Sequence, residues 1–480
     1  LGTGSALPRR AVSNAELARV LGVSGSYAAF TNVVDMNNPM GGYKLSRLVQ
    51  EAYAKPESQR TKFDKEVIKV DERVNILYMI YSGDFMKVFP IKDDPSHKWG
   101  TPEEALPFAT SADDSLYVKN VLGLVMNGIK SPNARALETK EYIESLALYQ
   151  KSHVTYQLQS DSRIKAEIFY YKAKIFERLF PFYAVLGLVM IFTLVFAIVS
   201  GKSQVKGMMR ILTYVLAVGF AFHTLALAVR WYVSGHAPMS NGYESMIFIS
   251  WVTLLAGFVF NRKSKFALSA TAVLGSLTLM VAHLSFMDPE ITSLVPVLKS
   301  YWLTIHVSVI TGSYGFFGLT AILGLLVMIL YSLAGKQNLQ RINTTVDELT
   351  VISYQSLTLG LYFLTIGTFL GAIWANESWG RYWGWDPKET WSLITMIVYT
   401  FVVHSRMIKG FKGMFTYNVM GLFAFSSVLM TYFGVNYYLS GLHSYAGGDP
   451  VPVPTFVYVS VVALVSITIF AYRNYKKLHS

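Results

Sequence analysis

Long apolar stretches fill most of the chain after residue 178, whereas the residues before it are mainly polar with scattered apolar positions. An α-helix rises 1.5 Å per residue, so a helix of about 20 apolar residues crosses the hydrocarbon core of a bilayer. Nine apolar stretches have about this length: 179–200, 211–232, 242–260, 266–286, 302–334, 351–373, 389–405, 414–439 and 454–472. The pattern predicts an all-α polytopic membrane protein with about nine transmembrane helices.

The polar region before the first apolar stretch is predicted to form a mostly helical domain outside the membrane. In 61–79 apolar residues recur at the spacing of one helix face, and in 22–43 and 91–115 Gly, Pro, Asn and Asp predict turns. The expected division of the chain has three parts: the domain 1–178, a first transmembrane helix 179–200 and a membrane domain 201–480.

Basic residues predict the orientation of the helices. Lys and Arg occur in every second connection between apolar stretches, and short connections rich in these residues face the cytoplasm. The other connections, together with the N-terminal domain, are therefore predicted to lie on the outer face: 233–241, 287–301, 374–388 and 440–453.

The composition agrees with a membrane protein and argues against nucleic acid binding. Of the 480 residues, 52% are hydrophobic and 15% are charged, and the formal net charge is +12. Lys and Arg lie largely in the N-terminal domain and in short connections, without the basic stripe of a soluble nucleic-acid-binding fold. We expect no nucleic acid partner.

The chain has no cysteine. Thiol nucleophiles, thiolate metal sites and disulfides are therefore excluded, and a partner must supply any sulfur chemistry. The first residue is Leu, and no charged-then-apolar signal segment precedes the polar region. We expect the chain to be a processed product or a piece of a longer one.

The segment 374–391 contains five of the nine tryptophans in the chain: Trp374, Trp379, Trp383, Trp385 and Trp391. Indole rings form a rigid, polarisable surface, and Gly380 and Gly384 let the backbone come close to a bound molecule. A flat hydrophobic ligand fits such a surface. The alternative is an aromatic belt at the membrane interface, but belts are spread over several helix ends. Because this cluster lies in one predicted outer connection, we favour a binding site.

The sequence Asp386-Pro387-Lys388-Glu389 predicts the start of a helix. Asp is a preferred N-cap, Pro fits the first helical position, and Glu completes a capping box. Asp386 therefore has a structural role, and the pattern by itself assigns it no acid or base chemistry. Asn241 and Glu244 repeat the pattern and predict a second helix start.

Histidines are the expected iron ligands if the flat ligand is haem, because the chain has no thiols to hold the metal. His306 and His443 are both predicted on the outer side, where the tryptophans lie. His404 follows Thr390 by fourteen residues in one helix, so it lies about 21 Å further inward. One haem cannot easily contact both levels, so His404 is assigned to a separate inner haem position.

Other residues in the apolar stretches are expected to serve packing between helices. His223 and His283 are predicted to hydrogen-bond a neighbouring helix. Several glycines are predicted to allow close helix packing and to contact no ligand: Gly312, Gly315, Gly318, Gly367 and Gly371.

The residues from Trp379 to Trp391, Trp-Gly-Arg-Tyr-Trp-Gly-Trp-Asp-Pro-Lys-Glu-Thr-Trp, followed by His404, resemble the WWD signature of haem-handling membrane proteins. The resemblance is strongest to the CcsA component of System II cytochrome c synthases and covers about 210–454. The domain 1–178 and the helix 179–200 resemble the C-terminal part of the CcsB partner. The whole chain is thus similar to the later portion of a fused CcsBA protein.

This resemblance implies a holocytochrome c synthase, or cytochrome c haem lyase, in the bacterial cytoplasmic membrane with its site on the periplasmic face. Such an enzyme exports reduced haem b, iron protoporphyrin IX. It then joins the two vinyl groups of the haem to the cysteines of an apocytochrome c Cys-X-X-Cys-His motif. Thiol-reducing proteins keep the apocytochrome reduced.

The resemblance also implies roles for individual residues. His306 and His443 match the outer axial pair, and His404 matches one of two membrane histidines, the other belonging to a CcsB-like half upstream. The attachment site would comprise Trp379, Trp383, Trp385 and Asp386. Further haem contacts are assigned to Trp374, Trp391 and Arg381.

Some alternatives stay open at the level of the sequence. Arg381 or Lys388 is expected to pair with the haem propionates, and each is equally well explained as a solvated cation. A haem delivery protein of the CcmC or CcmF type without synthase activity is a second candidate function. A cytochrome b-like electron carrier is a third, but it needs histidine pairs at matching depth, and only His404 lies near the inner level.

Overall fold

A computed structural model describes residues 15–23, 29–35, 42–55, 60–92, 94, 97–130, 132–154, 156, 158–201, 205–284, 287–291, 300–439 and 453–479. The chain forms two compact units, Leu1–Ser160 and Asp161–Ser480.

The first unit is built mainly from helices, with two short antiparallel strand pairs. The helices are α1 (Ala15–Leu21), α2 (Phe30–Val33), α3 (Ser46–Ala54), α4 (Lys62–Ser82), α5 (Pro102–Ala105), α6 (Ala112–Lys130) and α7 (Pro132–His153). The strands are β1 (Val34–Asp35) paired with β2 (Gly42–Tyr43), and β3 (Phe89–Pro90) paired with β4 (Trp99–Gly100).

The helix predicted over 61–79 is confirmed as α4, and a capping box at Thr61 explains why it begins at Lys62. The hydroxyl of Thr61 accepts a hydrogen bond from the Asp64 backbone N–H, and the Asp64 carboxylate accepts one from the Thr61 N–H. This capping box satisfies backbone donors that have no partner within the helix. One apolar face of α4, with Val67, Val70 and Val74, is buried against the other helices of this unit.

The second unit consists of long helices. They are α8 (Asp161–Ala173), α9 (Ile175–Ser200), α10 (Lys206–Ser234), α11 (Gly242–Phe260), α12 (Lys265–Ala282), α13 (Tyr301–Ser332), α14 (Leu339–Trp379), α15 (Pro387–His404), α16 (Met414–Leu429), α17 (Val435–Tyr438) and α18 (Thr455–His479). A π-helical segment, Met430–Gly434, joins α16 to α17.

In the part of the chain that the structure describes, each of the nine predicted apolar stretches is helical over most of its length, and the protein is an all-α polytopic membrane protein. Within the described residues, eight helices are long and apolar enough to cross a membrane, α8 continuing into α9 and α16 into α17 as single spans. The remaining predicted span forms α15, which has 18 residues but begins with the polar residues that follow Pro387. The count of nine therefore exceeds the eight by this one helix.

Close packing between helices depends on several of the predicted glycines. A Cβ on Gly367 would lie 2.6 Å from Ile310, and one on Gly318 would lie 2.6 Å from Leu274. Contacts under 3.0 Å require something to shift, so these positions need the absent side chain. Helix α13 forms the centre of the unit, because most of its apolar stretch is buried and it packs against α11, α14, α16 and α18.

The helix boundaries change the interpretation of the tryptophan-rich segment. It was expected to be one connection, but α14 continues through Trp374 to Trp379, and Trp391 lies within α15. Residues 374–379 contain neither Gly nor Pro, so nothing interrupts the helix before Gly380. Gly380 adopts φ +70° and ends it. The connection itself is only 380–386.

Candidate functional site

A cavity of about 380 Å³ lies where the ends of α11, α13, α14 and α15 meet the π-helical segment. This volume is within the usual range of small-molecule sites, about 300–1,000 Å³. Apolar atoms contribute most of its surface, and polar side chains such as Ser245, Thr311 and Glu389 also line it. The wall residues that define its chemistry are His306, Trp374, Trp379, Trp383, Lys388 and Tyr432.

His306 lies in the second turn of α13 and is 7% exposed. Its Nδ1 is 3.1 Å from the carbonyl oxygen of Trp302. A carbonyl only accepts hydrogen bonds, so Nδ1 is the donor in this contact. An imidazole whose Nδ1 is held in this way by a backbone carbonyl can ligate iron through Nε2.

Two of the tryptophans hold the His306 ring in place. The indole of Trp374 stacks on the imidazole, with the ring centroids 5.2 Å apart and the planes inclined by 23°. Trp379 meets Trp374 edge to face at 4.7 Å. On the next turn of α14, Gly371 leaves room for the ring, because a Cβ there would lie 3.2 Å from His306 Cδ2. Gly371 itself lines the cavity.

The other tryptophans differ in position. Trp383 lines the cavity and meets Trp385 edge to face at 5.7 Å. Trp385 is 69% exposed and has φ +56°, a left-handed backbone conformation that is rare for a bulky residue. Trp391 and the exposed Arg381 are not among the described residues that line the cavity.

The start of α15 shapes the connection 380–386. The carboxylate of Asp386 accepts from the Lys388 N–H, and Glu389 completes the predicted capping box, which is confirmed. Glu389 Oε2 also accepts from the Gly384 N–H at 2.8 Å. Asp386 is 6% exposed. Both carboxylates are thus engaged in fixing the backbone that carries Trp383 and Trp385.

Lys388 brings a positive charge to the cavity. It is the only lysine or arginine among the described wall residues, and its Nζ donates to Asn436 Oδ1 at 3.1 Å. Burial of the ammonium group lowers the pKa of Lys388 to about 8, against the smaller opposing effect of Asp386. The residue is therefore largely protonated at pH 7 and placed to attract an anionic group. The position of Arg381 offers no comparable contact with the cavity wall.

The π-helical segment was not predicted from the sequence. π-helical turns inside α-helices occur frequently at functional sites, because the extra residue redirects a side chain. Here Tyr432 lines the cavity, and its hydroxyl donates to the Gly242 carbonyl at 3.0 Å. This bond joins the segment to the beginning of α11.

A buried ion pair lies beside the cavity, and the sequence analysis missed it. Arg230 on α10 and Glu244 on α11 are 2.8 Å apart, and their side chains are 0% and 2% exposed. Arg230 also donates to Tyr170 and to the carbonyls of Pro289 and Glu290. Asn241 caps α11 as predicted, but Glu244 binds Arg230 and Ser240 instead of completing a capping box. The hydrogen-bonded pair fixes the segment 239–242, which lines the cavity.

His404 is not among the described residues that line the cavity. His404, at the end of α15, is exposed, and its Nδ1 donates to the Thr400 carbonyl at 2.8 Å. His443 lies outside the described residues. Among those that are described, no three His, Asp or Glu side chains form a group suited to a metal ion.

The two histidines expected to serve packing behave differently. His223 is fully buried and hydrogen-bonds the Ile247 carbonyl on the neighbouring helix, which confirms the prediction. His283 bonds the carbonyl of Leu279 in its own helix. The prediction of a bond to a neighbouring helix is therefore wrong for His283, because its ring turns back along α12.

Comparison with known proteins agrees with the position of the cavity. Residues 239–443 match the family model described as Cytochrome C assembly protein. The chain is 34% identical over 296 residues to "Cytochrome c biogenesis protein CcsA" from Prochlorococcus marinus strain NATL2A, covering 55% of this chain and 92% of that protein. The chain belongs to the CcsA family of cytochrome c biogenesis proteins. All the described wall residues of the cavity, from Met239 to Asn436, fall within the family segment.

Two further relatives of this CcsA-family chain extend the comparison. "Protein NrfI" from Wolinella succinogenes is 42% identical over 429 residues, which is 88% of this chain and 46% of that protein. "Cytochrome c biogenesis protein CcsA" from Chlamydomonas reinhardtii is 39% identical over 230 residues, which is 46% of this chain and 64% of that protein. The chain therefore spans about half the length of NrfI, and the similarity to NrfI includes residues ahead of the family segment.

Proposed function

We propose that this CcsA-family protein binds haem b in the cavity beside His306 and attaches it covalently to the Cys-X-X-Cys-His motif of an apocytochrome c. The observation that carries the proposal is the state of His306. Its ring is buried against Trp374 at the cavity wall, and its Nδ1 donates to a backbone carbonyl, the arrangement in which an imidazole ligates a metal through Nε2. The apolar wall suits a porphyrin face.

His443 is proposed as the second axial ligand from the other side of the haem. Asn436 on α17 lines the cavity, and α17 ends at Tyr438. Five residues of extended chain span at most about 18 Å, so the segment after Tyr438 is long enough to return His443 to the cavity. The proposal requires both imidazoles on one iron.

Lys388 is proposed to bind a haem propionate. A carboxylate on an ammonium group makes a charge-assisted hydrogen bond, which is roughly twice as strong as a neutral one. Lys388 faces the cavity and Arg381 is exposed, so we favour Lys388 for this contact. Trp374, Trp379 and Trp383 then contact the macrocycle. Roles for Trp385, Trp391 and Arg381 in the bound complex stay predictions.

The attachment chemistry needs no side-chain nucleophile from this chain. A thiol of the apocytochrome adds across each vinyl group: the sulfur–carbon bond forms at one vinyl carbon, and the thiol hydrogen is transferred to the other. Atoms and electrons balance without an oxidant. Because the chain has no cysteine, it offers no competing thiol. Its contribution is to hold vinyl and thiol close together, which lowers the barrier by several kcal/mol.

His404 is proposed to belong to an earlier haem position at the other end of α15. The rise from Thr390 to His404 is about 21 Å, and its Nδ1 is held by the Thr400 carbonyl in the same way as that of His306. A second ligand there would come from a CcsB-like half upstream. The cavity end of the helices would then face the periplasm, and the His404 end would face the cytoplasm.

Coexpression of the chain with an apocytochrome c tests the function, with covalent haem on the apocytochrome as the readout. His306→Ala is expected to lower the haem absorption of the purified protein and to abolish the covalent product. The matched control is His283→Ala, whose ring is exposed and bonded within its own helix, and it should retain both.

The same experiment separates synthase from haem delivery and from electron transfer. Haem-loaded protein without covalent product would favour a delivery protein, and haem retained through turnover would favour a cytochrome b-like carrier. Wild-type levels of haem and product in a His306→Ala, His443→Ala double variant would contradict the proposal.

A further inference from the structure

A second cavity, of about 800 Å³, lies between the beginning of α16 and the end of α18. The helices of the first cavity have their other ends on this side of the protein: α11 and α16 contribute to the first cavity through Gly242 and through the π-helical segment that follows α16, and they run away from it. The two cavities are thus at opposite ends of the helices and share no described wall residue.

The wall of this second cavity changes from apolar to basic along its length. Val419, Met420 and Ile469 form its apolar part, and the charged wall residues, all cations, are Arg473, Lys476 and Lys477. The spacing i, i+3, i+4 places these three on one face of α18. From Ile469 to Lys476 the helix rises about 10 Å. A molecule that fits this wall has an anionic end and an apolar end.

The cavity also opens toward lipid. The apolar stretch of α18 is almost entirely unburied, with Val462 66% and Phe470 60% exposed. A helix with this composition and exposure faces the hydrocarbon of the bilayer. Ile469 and Tyr472 on the cavity wall are themselves about half exposed. An acyl chain gains apolar contacts with this part of the wall, whereas a free aqueous anion gains none.

Aromatic contacts and hydrogen bonds hold the inner surface of the cavity in place. Phe415 is 6% exposed, stacks with Tyr475 at 5.0 Å and contacts Tyr472 at 5.7 Å. Asn474, between the cations, donates to the carbonyls of Tyr331 and Ala334 and so fixes the rotation of α18. The basic face of the helix is therefore held toward the cavity.

We propose that this cavity is a binding site for a phospholipid with an anionic headgroup. The phosphate lies against Arg473, Lys476 and Lys477, and an acyl chain lies along Val419, Met420 and Ile469. Basic pockets between transmembrane helices bind anionic lipid headgroups by this combination of charge and apolar contact. The site is separate from the first cavity, with which it shares no described wall residue, and His404 is not among its described wall residues.

Lipid binding to the purified full chain tests the proposal by native mass spectrometry. Phosphatidylglycerol or cardiolipin is titrated, with phosphatidylcholine as the zwitterionic comparison. We expect anionic lipid to be retained and to bind at least about tenfold more weakly to the triple variant R473Q/K476Q/K477Q. The matched control R262Q/K263Q/K265Q also removes three cations, at the connection between α11 and α12 on the same side, and should bind as wild type.

A second variant keeps the charges and fills the apolar part of the cavity. Met420→Trp is expected to weaken phosphatidylglycerol binding while the protein stays monodisperse and helical by circular dichroism. Equal binding of phosphatidylcholine, or unchanged binding in both the triple variant and Met420→Trp, would overturn the proposal. Equal thermal stabilisation by inorganic phosphate would also overturn it, because a free anion would then account for the site.

Discussion

The imidazole of His306 and the indole of Trp374 stack 5.2 Å apart, although 68 positions separate them in the chain (374 minus 306). The contact is made across the α13–α14 pair, near the ends that border the cavity. This stack fixes the plane of the imidazole before haem binds. A side chain that is already oriented binds the iron more tightly, because less conformational entropy is lost on binding.

Replacing Trp374 by Leu should loosen this ring and weaken haem binding about two- to tenfold, since an aromatic pair contributes about 0.5–1.5 kcal/mol. Haem titration followed by absorption spectroscopy measures the change. Trp231→Leu is the matched control, because Trp231 is 57% exposed on α10 and does not line the cavity. Equal affinities of the two variants would show that the stack does not orient the ligand.

Replacing Gly371 by Ala should displace the His306 ring by a few tenths of an ångström. The new Cβ would lie 3.2 Å from His306 Cδ2. Ala favours a helix over Gly by about 0.5–1 kcal/mol, so the fold should be kept while the haem absorption maximum shifts and affinity falls. Gly207→Ala, with nothing within 4 Å of the added atom, should bind haem normally. A wild-type spectrum for Gly371→Ala would argue against iron ligation by His306.

Haem affinity should fall as the pH rises above about 8. The pKa of Lys388 is lowered to about 8 in the free protein, and a bound propionate raises it by favouring the charged form. Between these two pKa values only the complex keeps the proton, so affinity decreases as pH increases. Titrations from pH 6.5 to 9.5 measure this slope.

The variant Lys388→Met should lose that pH dependence and bind haem about 10- to 100-fold more weakly at pH 7, as expected for a lost hydrogen bond to a charged group. Arg381→Gln, at an exposed position, should change affinity little. A Lys388→Met variant with the wild-type pH profile would assign the slope to another group.

Asp386→Asn should preserve haem attachment if the carboxylate acts only through the cap of α15. Asn is as good an N-cap as Asp, whereas Ala in this position costs about 0.5–2 kcal/mol. Asp386→Ala should therefore lower the thermal stability and the attachment yield, and Asp386→Asn should restore both. Loss of attachment in a stable Asp386→Asn protein would instead give the carboxylate a direct chemical role.

Removing one partner of the Arg230–Glu244 pair should destabilise the protein by about 3–5 kcal/mol, because the other charge stays buried without its counterpart. Thermal unfolding of Arg230→Met in detergent measures the loss. The double variant Arg230→Met, Glu244→Met should be more stable than either single variant. A single variant as stable as wild type would mean that water reaches the pair.

Much of the architecture follows from local patterns. The length of an apolar stretch fixes a transmembrane helix, because the backbone must satisfy its own hydrogen bonds in lipid. The Asp386 and Asn241 caps and the helix start at Thr61 follow from side chains that bond backbone donors within three residues. The five tryptophans of the segment 374–391 likewise predicted a binding site from composition alone.

The sequence by itself determined that this is a thiol-free, all-α membrane protein of the cytochrome c biogenesis kind with histidines and tryptophans as its distinctive residues. Only the tertiary structure decided which of them meet. In the folded protein His306 stacks on Trp374, and Lys388, not Arg381, is among the described wall residues of the cavity. The Arg230–Glu244 pair and the π-helical turn at Tyr432 are also visible only there. Helix periodicity fixes neighbours three or four residues apart. Contacts between helices depend on how each helix is rotated and shifted against the next, which packing of the whole bundle decides.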